Sequence, residues 1–63
     1  MVNYRKIRRI MKEQHIFIND LAERTGIPYK TMLWQFKNEA DIKISMLMKI
    51  CRVLGIDIKD ILL

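Results

Sequence analysis

His15 and Cys51 are the only histidine and the only cysteine in this 63-residue sequence. One of each builds neither a disulfide nor a Cys/His metal site within a single chain. With two glycines there is no Gly-rich phosphate loop, and so small a body has no cleft that could exclude water around paired acids. The expectation is a protein that is not an enzyme and needs no cofactor or metal. Cys51 lies among Met48, Ile50 and Leu54 at helical spacing, which reads as a buried core thiol in a reduced, cytoplasmic setting. What remains is electrostatic chemistry. Twelve lysines and arginines face seven acids, a formal +5, which is more than solubility requires and points to a polyanionic partner.

A hydrophobic share of 51% is too high for disorder, and two glycines with one proline are too few turn formers for a sandwich or barrel. An all-α chain forming one domain over residues 1–63 fits. By surface-to-volume scaling, a domain this size buries only about 60% of the surface its unfolded form exposes, so its core must be thin. No apolar run approaches the roughly 20 residues of a membrane span, and no signal-like core follows the charged N-terminus. No membrane contact and no export are expected.

Residues 18–37 carry the most specific spacing. Leu21-Ala22, Gly26-Ile27 and Met32 fall where two helices crossing steeply need an apolar residue, a small one, a flexible one and two apolar ones in turn. This is the pattern of a helix-turn-helix. Around it, Asn3 can cap a first helix with Val2 and Ile7 as its staple, and Ile7, Ile10, Met11 and Gln14 form that helix's inner stripe. Arg5, Lys6, Arg8, Arg9 and Lys12 crowd the remainder, either as a solvated face or as the flank of a binding surface. A second helix runs from Ile18 or Asn19 to Thr25 and stops at Gly26. Its start is poor: either Asn19 caps it one turn late, or Phe17 fills the core at the expense of the cap. Pro28 takes the first position of a third helix, which continues to Lys37 with Met32 and Phe36 as an inward pair and Asn38 as its close. A linker from Glu39 to Lys43 leads to a fourth helix, where Ile44, Leu47, Met48, Ile50, Cys51 and Leu54 repeat at helical period before Gly55. Asp57 and Asp60 resemble a capping box and Ile56 and Ile61 its staple, opening a short fifth helix.

These elements, with Leu21-Ala22-Glu23-Arg24-Thr25-Gly26-Ile27 and the closing Asp57…Asp60-Ile61-Leu62, resemble the Cro and phage-repressor (XRE-like) helix-turn-helix family over nearly the whole chain. The resemblance implies a compact five-helix lambda-repressor-like domain that binds double-stranded DNA. Residues 28–37 would be the recognition helix in the major groove, and the chain would act as a homodimeric repressor of a phage or mobile element. The outward positions of that helix would be Tyr29, Lys30, Leu33, Trp34 and Lys37. Lys30 and Lys37 can reach guanine edges or phosphates, Tyr29 a phosphate and Leu33 a thymine methyl, whereas Trp34 reads bases poorly. Lys30 and Tyr29, with either Leu33 or Trp34, would read the groove, while Asn19, Lys37, Asn38 and Lys43 would hold phosphates on either side.

The sequence departs from the family in three places. Phe17 and Ile18 replace a capping Ser or Thr and a glutamine that contacts the DNA backbone, so one phosphate clamp is missing. Met11 and Phe36 stand where some members bury an arginine and an acid, a joint replacement that is often neutral or stabilising by about 1–4 kcal/mol. Gln35 takes a usually apolar place, so either the helix is rotated and Trp34 packs inward, or Trp34 is exposed. An exposed Leu33-Trp34 pair supports an alternative function, a protein-interaction module of antirepressor type docking on a protein partner. At the C-terminus, Ile58 and Ile61 are expected to cap the core and Leu62 and Leu63 to serve dimerisation.

Overall fold

A computed structural model describes all 63 residues. It contains four α-helices: α1 (Tyr4–Glu13), α2 (Ile18–Thr25), α3 (Tyr29–Asn38) and α4 (Ile44–Leu54). The expected fifth helix is instead a single 3-10 turn, Ile58–Ile61, because four residues leave no room for a full set of i to i+4 bonds. The capping box there forms as the spacing implied, with Asp57 accepting from the Lys59 backbone N–H and Asp60 from that of Asp57. No helix is long and apolar enough to cross a membrane.

Local chemistry sets each helix boundary. The Asn3 side chain accepts from the Lys6 N–H at 3.1 Å, which opens α1. That helix ends where His15 turns left-handed at φ 58. The Ile16 N–H then reaches back to the Met11 carbonyl and the His15 N–H to that of Lys12. This is the paired closure that usually takes glycine, and here it places Ile16 and Met11, both buried, at the end of the helix. Gly26 and Gly55 close α2 and α4 in the same left-handed region. Pro28, with ψ 137, stands one place before the first helical residue rather than at it. Its carbonyl still accepts from the Met32 N–H.

The start of α2 corrects both sequence alternatives. Asn19 does not cap the helix, and Phe17 occupies the cap position without entering the core, since it is 70% exposed. Phe17 has no side-chain acceptor to offer the helix. Only the reverse half of a capping box forms, in which the Asp20 carboxylate accepts from the Phe17 N–H at 3.0 Å.

The core is wholly apolar and draws on every helix and on the 3-10 turn. Ile7, Leu21, Met32, Ile50 and Ile61 are sealed from solvent, and burying side chains of this size contributes about 1.5–3 kcal/mol each. Cys51 is buried and free, as expected, and burial pushes its thiol pKa up, with Asp57 and Asp60 adding to the effect. On α4, however, Ile44 and Met48 are exposed, so the inward stripe is Leu47, Ile50, Cys51 and Leu54. Gln14 likewise sits at the surface, where its amide donates to the Leu54 carbonyl at 2.7 Å. The two chain ends meet. Val2 bridges Leu62, and the Asn3 N–H donates to the Ile61 carbonyl at 2.7 Å. Those bonds hold Ile61 in the core between α1 and α4.

Candidate nucleic-acid interface

The unit α2–turn–α3 is built from its buried side. Leu21 and Ala22 are buried on α2, Ile27 in the turn, and Met32 and Phe36 on α3. The Thr25 hydroxyl donates to the Leu21 carbonyl at 2.7 Å and lies 3.4 Å from the Ile27 N–H that it accepts. It thereby satisfies backbone groups that the end of α2 would leave unpaired. Gly26 (φ 76) has nothing within 4 Å of where a Cβ would stand, so glycine is required by the backbone angle and not by crowding.

With Met32 and Phe36 inside, the helical repeat turns Tyr29, Lys30, Leu33, Trp34 and Lys37 outward, and all five are exposed. Trp34 is 60% exposed and Leu33 40%. The alternative in which α3 rotates to bury Trp34 is therefore wrong, and Gln35 is the half-buried residue. Its Oε1 is buried without a hydrogen-bond partner. No Asp or Glu occurs between Tyr29 and Asn38. The only ion pair in the structure is Arg8–Glu39, so the ammonium groups of Lys30 and Lys37 stand uncompensated on this face.

Asn19 and Tyr29 line one shallow hollow between α2 and α3, together with Glu23. Glu23 escaped the sequence reading. It is exposed, and its carboxylate can accept from a cytosine amino group while repelling a phosphate. Asn38, exposed at the end of α3, has one amide N–H already donated to the Trp34 carbonyl at 2.8 Å. Lys43 is exposed at the cap position of α4. At the start of α2, the Asp20 carboxylate occupies the backbone N–H of Phe17 and Ile18 is half-buried. That end offers an anion and apolar carbon where a phosphate would need a donor. A second cationic surface lies on α1, where Arg5, Lys6 and Arg9 with Asn3 line a polar groove.

The rear of α3 is held by residues whose roles were not read from the sequence. Arg8 of α1 pairs with Glu39 at 3.1 Å, donates to the Phe36 carbonyl, and lies 6.0 Å from the centre of the Phe36 ring. Tyr4 meets the same ring edge-on at 5.2 Å and donates its hydroxyl to the Ala40 carbonyl. Burial, with Asp41 and Glu39 nearby, pushes the Tyr4 pKa up to about 12. Met11 and Phe36 are both buried, which fits their replacing a buried ion pair. An arginine–carboxylate link from α1 to the end of α3 exists nonetheless, about one turn away along each helix, as Arg8 and Glu39.

No curated protein and no solved structure matches the chain. Residues 6–62 match the family described as the Cro/C1-type HTH DNA-binding domain. That match spans nearly the whole molecule, agrees with an all-helical body built around a helix-turn-helix, and shows that the chain belongs to the Cro/C1-type helix-turn-helix DNA-binding family.

Proposed function

We propose that the chain is a sequence-specific regulator of transcription, a Cro- or repressor-like protein of a phage or mobile element. It works in the cytoplasm without catalysis or cofactor and binds double-stranded DNA as a homodimer on paired half-sites. The observation that carries this reading is the outer face of α3. Tyr29, Lys30, Leu33, Trp34 and Lys37 are exposed together on a helix without acids, and its lysines have no paired carboxylate. Lys30 and Leu33 would read base edges in the major groove, with Tyr29 and Lys37 on phosphates. Asn19, Asn38 and Lys43 would add phosphate contacts, Asn38 through the amide N–H that remains free. Exposed Leu62 and Leu63, beside the pairing of the chain ends, would supply the dimer contact.

The test is selection from random duplex DNA at two salt concentrations, followed by Lys30→Ala and Trp34→Ala. A two-fold symmetric motif is expected. Affinity should fall as salt rises, and the log–log salt slope should shrink by about 0.9 for each phosphate contact that a lysine substitution removes. Binding without a motif, or binding insensitive to salt, would overturn the reading. The exposure of Trp34 beside Leu33 supports a second reading, in which this face docks a protein partner. Loss of a protein complex in Trp34→Ala, with DNA affinity absent from the parent chain, would favour it.

A further inference from the structure

A groove of about 510 Å³ runs between the C-terminal end of α1 and the start of α2. Met11, Ile16, Phe17 and Ile18 supply its apolar lining, and Arg8, Lys12 and His15 stand among them as the polar residues. Nothing in the proposed DNA contact uses it.

Phe17 gives the groove its meaning. A Ser, Thr, Asp or Asn at a helix N-cap stabilises the helix start relative to a residue that cannot cap. Phe17 forgoes that stabilisation and does not recover it by burial, because it is 70% exposed. The adjacent Ile16 is buried and Ile18 half-buried, so Phe17 is the open end of a continuous apolar strip. An aromatic ring that serves neither cap nor core is the kind of residue that anchors an interface.

We infer that this groove docks a segment of another protein that carries apolar anchors flanked by acidic side chains. The charges select that occupant. Lys12 is cationic, exposed and without a paired carboxylate, Arg8 beside it is already paired with Glu39, and no acid lines the groove. A second copy of this chain, itself +5, would bring like charges together. Duplex DNA could meet the cations but has little apolar surface to fill the lining, and a concave groove suits inserted side chains better than a flat bilayer. Apolar anchors spaced at i, i+3, i+4 and i+7 on an acidic amphipathic helix match both features. The inference stands independently of whether α3 reads DNA.

The experiment is an NMR titration of the isotope-labelled 63-residue chain. The probes are a synthetic helical peptide with leucines at that spacing and glutamates elsewhere, its counterpart with lysine for every glutamate, and phosphatidylglycerol vesicles. Saturable shifts are expected at Met11, His15, Ile16, Phe17 and Ile18 with the acidic peptide, with the lysine peptide weaker by about tenfold or more. Phe17→Ser should weaken the acidic peptide by about tenfold, and the charge reversal Lys12→Glu should narrow the preference between the two peptides. The second variant keeps the inference testable if the first disturbs folding. Equal binding of both peptides, shifts confined to Leu33 and Trp34, response to vesicles alone, or concentration-dependent shifts of these residues in the free chain would each overturn it.

Discussion

Replacing Tyr4 by Phe should change the stability of this domain in opposite directions at neutral and at alkaline pH. The ring is 3% exposed and packed against Phe36, so the substitution leaves the apolar packing in place. It removes the hydrogen bond from the hydroxyl to the Ala40 carbonyl. Ala40 is only half-buried, so water can partly replace that donor, and the loss at pH 7 should be about 1 kcal/mol. In the parent chain the Tyr4 pKa is raised from 10.0 to about 12. Below pH 10 the hydroxyl is protonated in both folded and unfolded states, and its contribution is complete. Between pH 10 and 12 the unfolded chain ionises first, so stability falls, and the full loss is roughly 3 kcal/mol once both states are ionised. Tyr4→Phe has no such proton to lose. It should therefore begin less stable than the parent and overtake it at about pH 11, where the accumulated loss reaches roughly 1 kcal/mol. Urea unfolding followed by far-ultraviolet circular dichroism, with both proteins measured at each pH, isolates the effect from the lysines common to both. A difference in stability that stays constant from pH 9 to pH 12 would refute the burial of the hydroxyl and its role as the link between α1 and the Ala40 loop.

Gln35→Met removes a buried side-chain oxygen that has no partner, and should raise the stability read from the urea midpoint by about 1 kcal/mol; a loss would mean that the oxygen is satisfied by solvent. His15→Gly relieves a non-glycine residue held at φ 58. The expected gain is about 0.5 kcal/mol, the left-handed penalty less the added chain entropy of glycine, and a destabilised variant would refute it. Gly26→Ala should lose about 1 kcal/mol without displacing the helices, since nothing lies within 4 Å of the added carbon and only the φ of 76 resists it. Altered helix packing in that variant, seen as widespread amide shifts, would contradict this.

The sequence by itself determined the helix-turn-helix, because its determinants are local. Ala22 must be small where helices cross, Gly26 must reach a left-handed angle, and Met32 and Phe36 lie one turn apart on one face. Those same inward residues determined which side of α3 would carry Tyr29, Lys30, Leu33, Trp34 and Lys37, and the family followed from the whole pattern. The tertiary structure decided what depends on residues distant in sequence. Tyr4 and Ala40 are 36 residues apart and Arg8 and Glu39 are 31 apart, and no periodicity announces such pairs. Ile44 and Met48 keep the helical spacing of a core stripe and still face outward, because spacing defines a face without saying which face a neighbour covers. The sequence does not decide Phe17 for the same reason: whether an aromatic at a helix start fills a core depends on what α1 brings opposite to it. There α1 ends, leaving Phe17 over an open groove.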